Sequence, residues 1–378
     1  WFVAQAVYEA VYLAATLAAP DREHLLGLVA AWQGPLRDMQ IHGFALLMIL
    51  GVSQRLLPHF YGLPAPSQGI SLAALVALNA AVAGECAGLV LMRAGGHGGA
   101  ALWYGSVLLL AGAVGLLVWD WRLFTPPTES DRGLKFLRAA YLWLLASLAM
   151  LVLVPLYQHV VLAALAPASA SARLGFSHPY YGAIRHAITV GFISLMIVGV
   201  AAKVVPTLNG VDLRRLSGLW GPFLLLNAGC ALRVIGQTAT DFTDTAFPFA
   251  GVSGLLEVTG LALWGVHLWR IMAGRARVRP AAPADDSVVP GAALTSRHRV
   301  GDVLDHYPAL LDTFLAFGFK PLANPFFRRT VARFVTIGQA CRQQGVDEAR
   351  LLGALNQARA RPADGRLSLR VVEESFCQ

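Results

Sequence analysis

Residues 43–62 read GFALLMILGVSQRLLPHFYG. A similar stretch, GFISLMIVGVAAKVVPTLNG, occurs 148 residues later at residues 191–210. Nine of the 20 aligned positions are identical, and both copies are long and apolar enough to be membrane helices. Each copy has a histidine near its start, His42 in one and His186 in the other. A metal or heme held between helices requires histidines on separate spans near the same end, and a polar residue inside a membrane predicts a functional site.

Composition predicts an all-α, polytopic membrane protein. Of the 378 residues, 56% are hydrophobic and only 14% are charged, which excludes an ordinary soluble globule. A helix needs about 20 apolar residues to cross the hydrocarbon. We expect about eight spans, at residues 2–19, 38–57, 70–92, 100–121, 136–165, 183–205, 217–238 and 247–272. Pro155 should kink the long fifth segment.

The loops predict which end of each span faces the cytoplasm. Positive residues gather after the last expected span, between the fourth and fifth, and between the sixth and seventh. Because Lys and Arg concentrate in cytoplasmic loops, we expect both ends of the chain on the cytoplasmic side of a bacterial inner membrane. This topology explains the net charge of +8. The basic residues lack interleaved aromatic residues, so the expected partner is the lipid bilayer and not nucleic acid.

The chain divides by composition into four parts. Residues 1–273 are the expected transmembrane domain, and residues 274–296, rich in Pro, Ala and Asp, read as a linker. Residues 297–360 predict a small helical domain on the cytoplasmic side, and residues 361–378 a frayed tail. The chain begins at Trp1, which is not a translation start, so we expect an upstream piece to precede it.

The small domain has recognisable helix boundaries. Gly318 should end one helix, and Thr336 should cap the start of another. The pairs Tyr307-Pro308, Gly318-Phe319 and Leu355-Asn356 resemble those of a small bacterial helical domain of unknown function. Many members of that domain carry a cysteine pair after the Gly-Phe, which this chain lacks, so docking or regulation is the expected role.

Four histidines are expected at one level near the outer surface. The second and sixth spans both run inward, and distances along the helices from their repeated prolines place His42 and His186 within about one turn of each other in depth. The fifth span runs outward, so His159 near its end lies on the same side. His178 precedes the sixth span directly.

A heme would suit this arrangement. Its iron takes axial imidazoles, and its flat ring lies between helices where small residues let it approach the backbone. Heme propionates need cationic partners, and Arg37, Arg173, Arg185 and Arg233 are all expected at the outer end. The open alternative is that the histidines are helix-end polar residues bonded to carbonyl groups or lipid head groups.

Glu85 and Glu257 lie inside expected spans, where a carboxylate is costly and needs a partner. Two interpretations stay open. The carboxylates could serve a proton path or a copper site, or each could be a protonated Glu bonded to a neighbouring helix.

The second copy of the repeat resembles a known family. RHAITVGF at residues 185–192, followed by Met196, Gly199 and PTLNG at 206–210, is similar to the NnrS family, and MQIHGF at 39–44 is similar to an earlier helix of such proteins. That family comprises bacterial polytopic membrane proteins linked to nitric oxide response and reported to contain heme and copper. The resemblance covers about residues 1–275, with its specific motifs confined to the two repeats.

The same pattern resembles the catalytic subunit of heme-copper oxidases and nitric oxide reductases. In that superfamily a late helix carries His-X-His, and His186 matches the second histidine, which binds the low-spin heme. The first histidine is replaced by Ile184, and the adjacent His-His pair that helps to hold copper is absent from the sequence. These departures argue against a complete oxygen- or nitric oxide-reducing centre.

Together these features predict a heme-binding protein of nitric oxide response or detoxification. His42 and His186 are the expected metal ligands, His159 and His178 are alternates, and the cofactor is expected to be b-type heme, with copper as a further candidate. The expected ligand is nitric oxide or another small diatomic molecule, and a second copy of the chain or a redox subunit is the candidate protein partner. The alternatives are a redox enzyme related to heme-copper reductases and, less favoured, a transporter.

Overall fold

The structure is a computed structural model that describes residues 1–93, 95–96, 98–126, 131–211, 213, 216–276, 288–329 and 331–360. The chain forms two compact units, Trp1–Ala282 and Pro283–Gln378. Within the described residues every named element is a helix, and the only β-type pairing is an isolated bridge between Arg299 and Thr336.

The first unit contains ten helices in its described part. They are α1 (Phe2–Leu17), α2 (Arg22–Tyr61), α3 (Gln68–Arg93), α4 (Gly99–Asp120), α5 (Leu134–Val152), α6 (Val154–Leu165), α7 (Ala170–Leu174), α8 (His178–Leu208), α9 (Trp220–Ala239) and α10 (Phe247–Met272). Six apolar segments are long enough to cross a membrane, namely α2, α3, α4, α5, α8 and α10 with its short lead-in from Asp244. In length and composition these six helices are those of a polytopic helical bundle.

The remaining expected spans correspond to shorter or more polar helices. Helix α1 is 16 residues long, and α6 is among the shorter apolar helices. Helix α9 has 20 residues but carries Asn227, Arg233 and Gln237, which lower its hydropathy. The expected long segment 136–165 is divided at Leu153, two residues before Pro155, where α5 ends and α6 begins.

Helices α2 and α8 each contain a π-helical segment, and these segments are 148 residues apart. They span Met39–Leu46 in α2 and Ala187–Ser194 in α8. Both helices then continue as α-helix past the repeated proline, with left-handed glycines following at Gly62 (φ 63°) and Gly210 (φ 67°). Glycine adopts this conformation without the strain that a Cβ would add.

The repeat extends well beyond the 20 residues in which sequence identity is obvious. A Cβ on Gly34 of α2 would contact Leu89 of α3, and a Cβ on Gly182 of α8 would contact Gln237 of α9. Gly182 lies 148 residues after Gly34, and Gln237 lies 148 residues after Leu89. The hairpin of α3 and α4 is likewise matched by that of α9 and α10. The unit is thus built from two tandem halves, each containing one long helix with a π segment followed by a helical hairpin.

Basic residues near the helix ends form hydrogen bonds that connect neighbouring helices. Lys203 of α8 donates to Asp131 Oδ2 at 2.8 Å and to the carbonyl oxygen of Phe60 in α2. Arg132 donates to the carbonyl oxygens of Ala202 and Ser217 at 3.1 and 3.0 Å. Cations near carbonyl groups at helix C-termini satisfy unpaired acceptors and interact favourably with the helix dipole. Several residues that set the expected topology therefore also stabilise the fold.

The second unit is a small helical domain in its described part. Its helices are α11 (Val300–His306), α12 (Leu311–Ala316), α13 (Pro325–Arg329), α14 (Ile337–Gln344) and α15 (Glu348–Ala360), joined in part by 3₁₀ turns. Thr336 forms a capping box with Gln339 at the start of α14, as the sequence predicts. Gly318, with φ 93°, lies two residues after the end of α12.

The core of the second unit includes residues from the stretch that reads as a linker. Val288 and Leu294 are buried in this core, and the side chain of Asn356 bonds both main-chain groups of Leu294 at 2.7 and 2.9 Å. The linker residues 277–287 and the expected tail 361–378 lie outside the described residues.

Candidate functional site

His42 lies inside the π segment of α2 and points at a carboxylate on the next helix. Its Nδ1 atom is 2.9 Å from Oε2 of Glu85 in α3, and the two residues are 8% and 1% exposed. No residue that the structure describes hydrogen-bonds the Nε2 atom of His42. One ring nitrogen is therefore anchored, and the other is open.

His186 is the last α-helical residue before the π segment of α8, and it forms the corresponding pair. Its Nε2 atom is 2.7 Å from Oε1 of Glu257 in α10. Gly229 of α9 makes room for this carboxylate, because a Cβ at that position would lie 2.6 Å from Cγ of Glu257. Nδ1 of His186 is the nitrogen for which the described residues provide no hydrogen bond.

The backbone at or beside these imidazoles is π-helical, a conformation that is rare in proteins. A π turn inserts one extra residue into a helix, leaves main-chain groups differently paired, and is frequently found at functional sites. In α8 the hydroxyl of Ser194 donates to the carbonyl oxygen of Thr189, five residues earlier, at 3.1 Å. A third π segment, Tyr157–Val161, contains His159. Three of the four predicted histidines thus lie in or directly beside π-helical backbone.

Asp38 and Arg185 connect the two halves close to the histidines. Arg185 NH2 lies 3.6 Å from Asp38 Oδ1, and the two side chains are 19% and 5% exposed. The guanidinium group also lies over the ring of Tyr181, 4.7 Å from its centroid. A buried carboxylate needs such a counter-charge. This contact brings α2 and α8 together one residue before His186 and one turn before His42.

The remaining predicted site residues do not join these pairs. His159 and His178 are exposed, and the ring of His178 packs on Phe176. Arg37 is exposed, whereas Arg233 donates to Gln237 Oε1 at 3.2 Å and to the carbonyl oxygen of Ala250 at 2.9 Å. The structure thus pairs His42 with Glu85 and His186 with Glu257, and links α2 to α8 through Asp38 and Arg185.

The two His–Glu pairs can be compared with what a heme or a copper ion requires. A carboxylate on one imidazole nitrogen fixes the ring and raises the basicity of the other nitrogen, which is the usual second-shell arrangement of metal-binding histidines. The described residues contain no group of three or more His, Cys, Asp or Glu placed to hold a metal ion. Heme iron needs only one or two imidazoles, because the porphyrin supplies four nitrogens. A copper ion would need ligands beyond these two pairs.

Comparisons with known proteins identify two domains of unknown function. The family described as DUF8744 matches residues 134–270, and the family described as DUF1858 matches residues 295–352. The first match runs from the start of α5 to near the end of α10, and so covers the second of the two tandem halves. No curated protein and no solved structure matches the chain.

Proposed function

We propose that this chain is a heme-binding integral membrane protein that acts in nitric oxide response or detoxification, as its resemblance to NnrS proteins implies. The observation that carries the proposal is the pair of histidines in expected spans, each bonded to a glutamate through one nitrogen and without a hydrogen-bond partner among the described residues at the other. Intramembrane ionisable groups are costly and are kept for function.

The roles of the residues follow from their contacts. His42 and His186 would hold the iron of a b-type heme, and Glu85 and Glu257 would fix the orientation of the two rings. Arg185, one residue before His186, would be the cation beside the site that heme propionates need, and it would share its charge with Asp38. Bound heme would supply an iron able to take a diatomic ligand such as nitric oxide.

The full topology belongs to the same proposal. The tandem halves make α9 the counterpart of α3, so α9 is proposed to cross the membrane although Arg233 and Asn227 lower its hydropathy. Counting α1 as one span, and α5 with α6 as another, gives the expected eight spans. The distribution of Lys and Arg supports a topology in which both termini and the second unit face the cytoplasmic side of a bacterial inner membrane.

An absorption spectrum of the purified full chain tests the proposal. We expect a Soret band in the oxidised and reduced protein, a shift of that band on adding nitric oxide, and its loss in His42→Ala and His186→Ala. The exposed His159→Ala and His178→Ala serve as matched controls and should retain the band. Protein that lacks heme after expression with sufficient heme supply, or His42→Ala and His186→Ala variants with unchanged spectra, would overturn the proposal.

The redox-enzyme alternative uses the same proposed heme site, and enzymatic turnover distinguishes it from a sensor. A related reductase would consume nitric oxide or oxygen when the purified protein is given an electron donor, whereas a sensor would bind nitric oxide without sustained consumption. Metal analysis on the same sample decides whether copper accompanies the iron.

A transporter is the third and weaker candidate. Repeats with the same orientation occur in transporter folds, and buried His–Glu pairs occur in proton relays. This alternative predicts protein without heme that carries protons across proteoliposome membranes, with loss of that flux in both Glu85→Gln and Glu257→Gln. Heme-free protein without proton flux would exclude it.

A further inference from the structure

Two indole–amide hydrogen bonds occur at corresponding places in the two halves. Nε1 of Trp1 donates to Oδ1 of Asn79 at 2.8 Å, and Nε1 of Trp143 donates to Oδ1 of Asn227 at 3.0 Å. The two asparagines are 148 residues apart, on α3 and α9. The tryptophans are 142 residues apart; Trp1 directly precedes α1, and Trp143 lies in α5. Both halves therefore contain an indole–asparagine pair, with the asparagines at matched positions and the tryptophans at unmatched ones.

Each asparagine is oriented to accept the indole. Asn79 Nδ2 donates to the carbonyl oxygen of Leu75 at 2.8 Å, and Asn227 Nδ2 donates to the carbonyl oxygen of Phe223 at 2.8 Å. Because the amide nitrogen is occupied by its own helix, the amide oxygen projects toward the neighbouring helix. An indole N–H can only donate, so it complements this oxygen.

Each indole packs on a glycine inside a π segment. A Cβ on Gly43 would lie 3.0 Å from ring atoms of Trp1, and a Cβ on Gly191 would lie 2.5 Å from Cγ of Trp143. Gly43 and Gly191 are also 148 residues apart, inside Met39–Leu46 and Ala187–Ser194. Only glycine allows the flat indole to approach the π-helical backbone this closely.

We propose that Asn79 and Asn227 are positioning residues that hold an indole against each π segment and thereby set the direction of His42 and His186. In the first half the effect is direct, because Gly43 follows His42 in the chain. In the second half Gly191 lies five residues after His186, so the effect is transmitted along the π segment. The consequence for heme rests on the proposed function, but the positioning of the two rings does not.

The mechanism distinguishes this role from ordinary packing. A tryptophan that served only to fill space would tolerate loss of its hydrogen bond provided that the ring stayed in place. The proposed role requires the bond, since the amide fixes the ring angle and the ring fixes the π backbone. The substitution Trp143→Phe keeps an aromatic ring on Gly191 but removes the N–H, and Asn227→Leu removes the acceptor at similar volume.

The experiment measures histidine accessibility in the full chain, prepared without heme in lipid nanodiscs. Diethyl pyrocarbonate modifies accessible imidazoles, and mass spectrometry reports the rate at each histidine. The variants are Asn79→Leu, Asn227→Leu, Trp143→Phe and the double variant Trp143→Phe/Asn227→Leu. The matched control is Asn209→Leu, because Asn209 makes the same bond to a carbonyl oxygen four residues earlier, at 2.8 Å, but is exposed at the end of α8.

We expect Asn79→Leu to change the modification rate of His42, and Asn227→Leu that of His186, by about fivefold, the factor implied by the loss of one hydrogen bond. Trp143→Phe should act on His186 in the same direction, and the double variant should equal the stronger single variant because both remove one bond. Unchanged rates, or changes as large in Asn209→Leu, would overturn the positioning role.

The heme spectrum provides a second, separate readout. In heme-loaded protein, Asn79→Leu and Asn227→Leu should shift the absorption band without removing heme. A wild-type protein that binds no heme while the modification rates change as expected would overturn the proposed function and support the positioning role. Changed rates with an unaltered band in heme-loaded variants would overturn the positioning of iron ligands.

Discussion

Nε2 of His186 and Oε1 of Glu257 lie 2.7 Å apart, and the corresponding pair in the first half, His42 and Glu85, uses non-equivalent positions. The offset of 148 residues aligns His186 with Asp38, and His42 with Val190. The two halves therefore reached the same His–Glu pairing through different residues. A pairing inherited passively from duplication would occupy matched positions, so the unmatched positions are consistent with the proposed role of these pairs.

The first prediction concerns the carboxylates. Glu257→Gln and Glu85→Gln should each weaken heme binding by about tenfold or more, because second-shell partners of metal-binding histidines typically contribute 10–100-fold to affinity. The amide keeps the size of the side chain but removes the charge that holds the imidazole. Titration of heme into heme-free protein measures this change. Glu9→Gln, at an exposed position on α1, is the matched control. Affinities unchanged in both variants would contradict the role of the pairs.

The second prediction concerns the contact between the halves. Asp38→Asn or Arg185→Gln should lower the free energy of unfolding by about 3 kcal/mol, because each leaves a poorly solvated charge without its partner. The double variant should recover much of the loss. Unfolding in mixed micelles with increasing SDS measures all four proteins of the cycle. Strictly additive losses would show that the 3.6 Å contact does not couple the two residues.

The third prediction concerns Gly229, whose missing side chain makes room for Glu257. Gly229→Ala should displace this carboxylate, reduce heme affinity and lower stability by about 1–3 kcal/mol, the usual cost of overpacking. Gly221→Ala, in the same helix, is the control, since the nearest atom to a Cβ there is 3.9 Å away. Equal behaviour of the two variants would mean that α9 and α10 can separate at little cost.

The fourth prediction concerns pH and the second unit. Burial raises the pKa of Asp302 above its ordinary value. Between the ordinary pKa and the raised one, the folded domain holds a proton that the unfolded chain releases, so stability falls as the pH rises through this window. Asp302→Asn should flatten that fall and make the domain more stable than wild type above the window.

Hydrogen exchange of α11, corrected for the intrinsic effect of pH on exchange, measures this dependence. Asp312→Asn, which changes an exposed aspartate of the same unit, is the control. An equally steep loss of protection in Asp302→Asn and wild type would contradict the contribution of Asp302.

Much of the architecture could be predicted because it depends on the length of apolar segments and on sequence identity between the two repeats. The helical membrane class follows from composition, and the repeat of 43–62 at 191–210 is visible without coordinates. The full extent of the tandem halves is hidden in the sequence. Pairs such as Asn79 and Asn227 are identical, but isolated identities at a constant offset are convincing only when helices pack around them.

Sequence reasoning identified the histidines and glutamates of the candidate site but not how they pair. An intramembrane glutamate needs a partner, and the sequence leaves open whether Glu85 and Glu257 serve a proton path, a copper site or a bond to a neighbouring helix. It does not indicate that their partners are histidines. The π segments have no sequence signature that separates them from α-helix, because one extra residue per turn depends on packing such as that of Trp143 on Gly191.

The most direct test of heme ligation is the absorption spectrum of wild-type, His42→Ala and His186→Ala protein, purified side by side and recorded before and after reduction. We expect a Soret band in the wild type that is lost or strongly shifted in both variants and is retained in the control variant His178→Ala. A wild-type protein without bound heme, or variants whose spectra match the wild type, would contradict heme ligation by these two residues.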